Sequence, residues 1–290
     1  MRVRSGPALI ATVITISAGP GSHGGPAAPV LVELFTSEGC SSCPPADVLL
    51  ERLADTSDVI PLGEHVDYWD HQGWKDRFSS AAFTARQQVY AARFNIDSIY
   101  TPQMVVDGRS ELVGSDARAA ARAIERARTA PHGSISIEAP VSGAANGAAV
   151  RVFVTASNLP PVSRGDHADV VLAITEDRLS SDVKRGENRG RVLTHAAVVR
   201  LLTTIGEATA ALASARGEVQ LASDWNREHL NIVAFVQERR SRRIVAAGTT
   251  PLVRRVAVEE REAWKRRKDA NAQQICAACA ASAVFTRSRP

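Results

Sequence analysis

The chain is poor in cysteine, methionine and aromatic residues. Its 290 residues include four Cys and two Met, and aromatic residues make up 5%. Four cysteines are too few for a small scaffold that depends on several disulfide bridges. A hydrophobic fraction of 44% is typical of a globular protein with substantial cores. We therefore expect one or two domains that are stabilised mainly by apolar packing.

The chain also lacks a large excess of charge of one sign, because its net charge is only +4. Arg2 and Arg4 precede an apolar run over residues 8–18, and a stretch of small residues ends near Ala28. This pattern predicts a signal peptide over residues 1–28, with an uncleaved anchor as the alternative. Cleavage would remove the two arginines and lower the net charge from +4 to +2. A strong nucleic-acid footprint is therefore not predicted.

Export would place the protein in the periplasm or outside the cell, where disulfides persist. No later stretch is long and apolar enough to predict a transmembrane helix, so we expect no stable membrane insertion after cleavage.

Two of the four cysteines, Cys40 and Cys43, lie three residues apart. They fall between a buried strand predicted over residues 30–35 and an amphipathic helix. Unpaired N–H groups and the positive dipole at a helix N-terminus stabilise a thiolate and lower its pKa. Position alone suggests Cys40 as the attacking thiol and Cys43 as the resolving thiol. A static structural disulfide, half of a zinc or copper site and a chance pair of thiols stay open as alternatives.

The order of predicted elements is β-α-β-α-β-β-α up to residue 131, and short alternating strands follow. This order predicts an α/β fold, with a thioredoxin-like domain over residues 29–131. A mostly antiparallel β-sandwich-like domain is predicted over residues 132–252. The charged and alanine-rich tail over residues 253–290 is predicted to be helical or disordered.

Several motifs resemble a bacterial family of exported proteins that is catalogued as a domain of unknown function and has a thioredoxin-like domain. The resemblance covers roughly residues 30–252 and implies the fold and an exported location, but no substrate. It is carried by VELFTSEGCSSCPPAD at 32–47, HVDYWD at 65–70, YTPQ at 100–103, VDG at 106–108 and RGENRG at 185–190.

The resemblance to thioredoxin-like proteins also implies three site residues. Pro102 matches a cis proline that faces the cysteine pair, and Thr101 before it would pair with substrate backbone. Glu33 matches a buried acid that assists the resolving thiol, and burial would raise its pKa. An ordinary trans proline and a structural Glu33 are the alternatives. Ser41 and Ser42 between the thiols differ from the Gly-Pro of thioredoxin, which leaves the direction of exchange open.

An aromatic loop over residues 68–74 follows the second predicted strand. We expect Tyr68 and Trp69 to form part of a substrate groove beside Cys40, because sites of such sheets lie at the carboxyl ends of the strands. A loop that serves only for packing is the alternative.

The residues thus predict thiol–disulfide exchange with exported proteins or a redox partner protein, without a cofactor. One alternative is a metal-handling protein, in which Cys40 and Cys43 bind copper or zinc with His65 or His71. Cys276 and Cys279 would complete a four-thiolate zinc site only at an unusual spacing. Another alternative is a binding module in which the pair is a fixed disulfide.

Overall fold

The computed structural model of the protein describes residues 28–139, 149–209 and 213–253. The predicted signal peptide up to residue 27 lies outside these residues, as does the predicted tail from residue 254 with Cys276 and Cys279. No helix among the described residues combines the length and the apolar character that a membrane crossing needs.

The described residues form thirteen strands, three α-helices and a short 3-10 helix at residues 227–229. In chain order the strands and α-helices are β1 (Val30–Thr36), α1 (Pro44–Ala54), β2 (Val59–His65), α2 (Ala81–Phe94), β3 (Gln103–Val106), β4 (Ser110–Val113), α3 (Ala117–Arg128), β5 (Ser134–Glu138), β6 (Ala149–Ser157), β7 (Ala168–Glu176), β8 (Leu179–Asp182), β9 (Val192–His195), β10 (Val198–Ala208), β11 (Ala213–Gln220), β12 (Leu230–Glu238) and β13 (Ile244–Pro251).

Eight of the strands form one mixed sheet in the order β13-β12-β7-β10-β2-β1-β3-β4. Within it β1 is parallel to β2 and antiparallel to β3, and every residue of β1 is buried. This burial explains why β1 reads as a nearly continuous apolar run, since both of its faces are covered. A second sheet, β11-β6-β5, packs its alternating apolar side chains against the large sheet.

The helices cover both faces of β1. Val32 and Leu34 pack with α1 and α3 on one face, whereas Leu31 and Phe35 pack with α2 on the other. The period of two along a strand produces this separation. The cysteine pair at the start of α1 therefore belongs to one face, and α2 belongs to the opposite face.

The prediction of an α/β thioredoxin-like domain followed by a β-sandwich-like domain is wrong. Strand β10 joins β2 in parallel at Val198 and Gly63, so the large sheet continues through both halves of the chain. The described residues are mostly β, and one apolar core takes members from β1, β2, β7, β10, β12 and β13. The backbone approaches closely at this junction, where a Cβ on Gly63 would lie 3.2 Å from the carbonyl oxygen of Ala196.

A buried cluster of charges lies on the α2 face of the sheet. Nε of Arg86 donates to Oε1 of Glu33 at 2.6 Å and lies 3.4 Å from Oε1 of Glu64. Tyr90 donates its hydroxyl hydrogen to the other oxygen of Glu33. Burial and the neighbouring Glu33 raise the pKa of Glu64 well above its ordinary value of 4.5, against the opposing charge of Arg86.

We expect replacement of Glu64 to change how stability depends on pH. Folded Glu64 keeps its proton to a higher pH than the unfolded chain does, so its contribution to the free energy of unfolding falls as the pH rises above about 4.5. Glu64→Gln removes this loss. Urea unfolding between pH 4 and 8 should show the stability of the variant gaining on the wild type as the pH rises.

Glu51→Gln, on the exposed side of α1, is the matched control for the loss of one carboxylate at the surface. If the difference between Glu64→Gln and the wild type stays constant over this pH range, the raised pKa of Glu64 is refuted.

Candidate disulfide site

Cys40 and Cys43 are joined by a disulfide at the start of α1, with their Cα atoms 5.4 Å apart. Cys43 is the N-cap residue, and its carbonyl accepts the first hydrogen bond of the helix from the N–H of Ala46 at 2.8 Å. Pro44 and Pro45 start the helix where a missing N–H costs nothing. The loop after β1 therefore ends with both sulfurs beside the helix N-terminus.

Two polar groups lie near the sulfur of Cys40. It lies 3.9 Å from the carbonyl oxygen of Thr101 and 3.3 Å from the hydroxyl of Ser42. The peptide bond between Thr101 and Pro102 is cis, as predicted, and Pro102 is buried. The structure thus brings the predicted residues Cys40, Thr101 and Pro102 together.

The aromatic loop over residues 68–74 lies beside the same site. Trp69 donates its indole hydrogen to the hydroxyl of Thr101 at 2.8 Å, and the ring of Tyr68 lies 6.4 Å from the ring of Trp69. Gly39 permits this approach, because a Cβ there would lie 3.1 Å from the Cβ of Trp69. Burial raises the pKa of the Tyr68 hydroxyl, although Thr101 and Gln87 beside it act in the opposite direction.

Glu33 is not part of this constellation. Its carboxylate is bonded to Arg86 and Tyr90 on the face that α2 covers, whereas Cys43 heads α1 on the other face. The structure places Glu33 in a charge cluster rather than beside the cysteine pair.

Two buried amide side chains and one carboxylate side chain hold the segment around Thr101 in place by hydrogen bonds. Gln87 of α2 donates to the carbonyl of Tyr100 at 2.7 Å and to the side chain of Gln103 at 3.0 Å. Glu111 of β4 accepts from the hydroxyl of Tyr100 at 2.6 Å and from Gln103 at 3.2 Å. Strands β3 and β4 and helix α2 therefore fix the position of Thr101 opposite the disulfide.

The disulfide is covered by a segment from the second half of the chain. Cys40 and Cys43 both have 0% exposure. Asn188, also fully buried, donates at 2.9 Å to each of two carbonyls, those of Glu38 and Cys40. Glu187 accepts from the N–H of Ser41 at 3.0 Å. We call residues 185–190 the clamp segment, since Glu187 and Asn188 bind the backbone of the cysteine loop, residues 37–43.

In the sequence, Asn188 stands out only as part of the RGENRG motif at 185–190. A signal was present, because the clamp segment is one of the motifs that carry the family resemblance. Its two glycines, Gly186 and Gly190, have positive φ angles of 73° and 81°, which explains why glycine occupies both positions. Sequence alone could not show which backbone groups Asn188 binds.

A second cluster of buried ionisable groups lies behind the cysteine loop. Oδ2 of Asp76 accepts from Nδ1 of His65 at 2.6 Å and from the N–H of Glu38 at 2.9 Å. The carboxylate of Glu38 accepts from Trp74 at 2.7 Å and lies 3.2 Å from Nε2 of His195. The two imidazole rings have centroids 4.8 Å apart.

The pKa shifts in this cluster follow from burial and pairing. Burial alone would lower the pKa of His65, but the charge and hydrogen bond of Asp76 outweigh it, so the pKa is raised. Burial opposes ionisation of Asp76 and Glu38, yet their histidine partners hold both pKa values below the usual range. Burial raises the pKa of Asp47, which accepts from the hydroxyl of Thr36 at 2.8 Å.

The described residues contain no group of three or more Cys, His, Asp and Glu side chains arranged to hold a metal ion. His65, a predicted alternative ligand, is bonded to Asp76, and His71 lies on the exposed part of its loop. Cys276 and Cys279 lie outside the described residues.

Comparison with known proteins gives a family and one similar structure. Residues 31–237 match the family described as "Protein of unknown function (DUF1223)". A crystal structure of an Agrobacterium tumefaciens protein is similar, with 27% sequence identity and a TM-score of 0.61, and the match covers 80% of this chain and 97% of that chain. No curated protein matches. The resemblance to a family of unknown function is thus confirmed.

We expect Asn188→Ala to loosen the cover over the disulfide. The variant leaves the buried carbonyl of Glu38 without its donor and removes one of the two donors of the Cys40 carbonyl, which should lower the free energy of unfolding by about 1–3 kcal/mol. The native disulfide should also be reduced faster by a phosphine reductant, as followed by mass spectrometry after quenching. Arg189→Ala, at the exposed neighbouring position, is the matched control. Equal reduction rates in both variants would show that Asn188 does not limit access.

Proposed function

We propose that this chain, which belongs to the DUF1223 family of proteins of unknown function, exchanges thiols and disulfides with exported proteins through Cys40 and Cys43. The observation that carries the proposal is the position of the Cys40 sulfur. It lies near the start of α1 and 3.9 Å from the carbonyl of Thr101, and the hydroxyl of Ser42 is its second polar neighbour. An inert structural disulfide has no need of such polar surroundings.

The proposed reaction begins with the oxidised pair. A client thiolate attacks the sulfur of Cys40, the bond between Cys40 and Cys43 breaks, and Cys43 leaves as a thiolate. A second client thiolate then attacks the client sulfur of the mixed disulfide and releases Cys40. The client gains one disulfide, and the cysteine pair takes up two electrons as a dithiol. The same steps in reverse reduce a client, so the potential of the pair decides the direction.

The surroundings of the pair favour the thiolate forms that these steps need. The positive end of the α1 dipole lies at the start of the helix and lowers the pKa of a thiol near it, although Pro44 and Pro45 at this end carry no N–H. The hydroxyl of Ser42, 3.3 Å from the Cys40 sulfur, can donate a hydrogen bond to a thiolate there. Thr101 offers its backbone carbonyl to a client N–H beside the reacting sulfur.

Access to the sulfur requires a local movement, because Cys40 is fully buried. Ser41 and Ser42 are exposed, and Thr101 is half-buried. The clamp segment binds the backbone of this loop through the side chains of Asn188 and Glu187. We infer that the opening begins with the release of these three hydrogen bonds.

A binding module with a structural disulfide is the second candidate. The observation that favours it is the complete burial of both cysteines in the oxidised form. A structural bridge should resist reduction by glutathione, whereas a catalytic pair should not.

Export to the periplasm or the medium belongs to the same proposal. The signal-peptide pattern over residues 1–28 supports it, since disulfide exchange among folding proteins takes place in oxidising compartments. The partners would be exported proteins with thiols or disulfides, together with a redox protein that restores the pair.

The potential of the Cys40–Cys43 pair tests the proposal against a structural bridge. We expect native protein in glutathione buffers to equilibrate at about −120 to −270 mV, the range of exchange proteins. Thiol alkylation and mass spectrometry measure the reduced fraction. In addition, the Cys40 thiolate of Cys43→Ser should attack a client protein that carries a disulfide, displace one client sulfur as a thiolate and stay joined to the other, since no Cys43 thiol can release it.

Cys40→Ser is the matched control and should trap nothing through the remaining Cys43. A pair that stays oxidised below about −300 mV, together with no trapped client in Cys43→Ser, would establish the structural disulfide instead.

A further inference from the structure

A groove of about 620 Å³ lies on the protein surface next to the cysteine loop. One wall is the outward side of α1, with Pro44, Pro45, Val48 and Leu49, and the other includes Ser115 before α3. Ala46 and Leu50 anchor the opposite side of α1 in the core and Leu49 packs partly against it, whereas Pro45 and Val48 on the groove side are exposed.

The wall formed by α1 is apolar and exposed. Val48, in the first turns of α1, keeps 42% of its surface accessible, whereas Asp47 before it is buried. Val192, which follows the groove residue Arg191, is 68% exposed. Exposed apolar surface that is concentrated beside a candidate site is typical of binding surfaces.

The charged residues of the groove are both cations. Arg52 lies on α1, and Arg191 is held by a hydrogen bond to the side-chain oxygen of Asn188 at 3.1 Å. No acidic side chain is among the described residues that line the groove. The groove therefore complements a ligand that carries apolar groups and a negative charge.

Ser41 connects the groove to the disulfide. It lines the groove and directly precedes Ser42, whose hydroxyl lies 3.3 Å from the Cys40 sulfur. A chain that lies in the groove would thus reach the exposed edge of the cysteine loop, next to the buried Cys40.

We propose that this groove binds an extended segment of an unfolded client polypeptide, with apolar residues next to the client cysteine and an acidic residue that pairs with Arg52. This inference rests on the proposed exchange function and names its substrate class. From Pro44 to Arg52 the helix rises about 12 Å, at 1.5 Å per residue. An extended client at about 3.3 Å per residue covers this length in roughly four residues. The acidic residue therefore lies about four positions from the client cysteine.

Labelled synthetic peptides test the proposal with the full-length protein. The probe carries one cysteine, three apolar residues and a glutamate at the fourth position, and a matched probe has lysine instead of glutamate. The rate of exchange with each probe is compared with the rate for oxidised or reduced glutathione, which is too small to use the groove.

We expect the glutamate probe to react about tenfold faster than the lysine probe at low salt, and Arg52→Glu to reverse this preference. Val48→Asp should lower the rate for the glutamate probe about tenfold and leave the glutathione rate unchanged. Val89→Asp and Arg122→Glu, at exposed positions of α2 and α3, are the matched controls and should change neither rate.

Binding of probes with serine in place of cysteine separates this inference from the exchange function. If fluorescence anisotropy shows a preference for glutamate that Arg52→Glu reverses, the groove proposal stands even when no exchange occurs. Equal binding of both probes, or equal effects of Val48→Asp and Val89→Asp, overturns it even when exchange with glutathione is fast. A bond from Cys40 to Cys276 or Cys279, found by mass spectrometry, would make the chain's own tail the occupant and also overturn it.

Discussion

The backbone contact between β2 and β10 decides the architecture of this protein. The N–H of Gly63 donates to the carbonyl of Ala197 at 2.8 Å, and Val198 continues the pairing. Because β9 and the clamp segment precede β10 directly, this contact also brings His195 and Asn188 to the cysteine loop. A Cβ at position 63 would lie 3.2 Å from the carbonyl oxygen of Ala196, so glycine at this position favours the close approach of the two strands.

The two buried charge clusters, on different faces of the sheet, both pair charged side chains that are removed from water. Desolvation penalises an isolated carboxylate strongly, so each one is paired or keeps its proton. Arg86 serves Glu33 and Glu64 beneath α2, whereas His65 and His195 serve Asp76 and Glu38 behind the cysteine loop. The second cluster joins side chains from three separate parts of the chain, and it therefore fixes the loop that carries Cys40.

The disulfide that is proposed to react is also fully buried. Three hydrogen bonds with Asn188 and Glu187 hold the backbone of the loop that carries Cys40. Hydrogen bonds of this kind contribute only about 1 kcal/mol each, so they can open without unfolding of the core. The groove proposed to bind a client chain starts at Ser41 and is thus next to this loop.

Local sequence patterns determined the elements around the cysteine pair. The strand predicted over residues 30–35 agrees with β1, and the helix predicted after the cysteine pair agrees with α1. The cis form of Pro102 was implied by the resemblance to thioredoxin-like proteins and is present. Only the tertiary structure decided the continuous sheet, the partners of Glu33 and the clamp by Asn188. These depend on contacts between residues far apart in the chain, which periodicity, turn signals and helix caps do not encode.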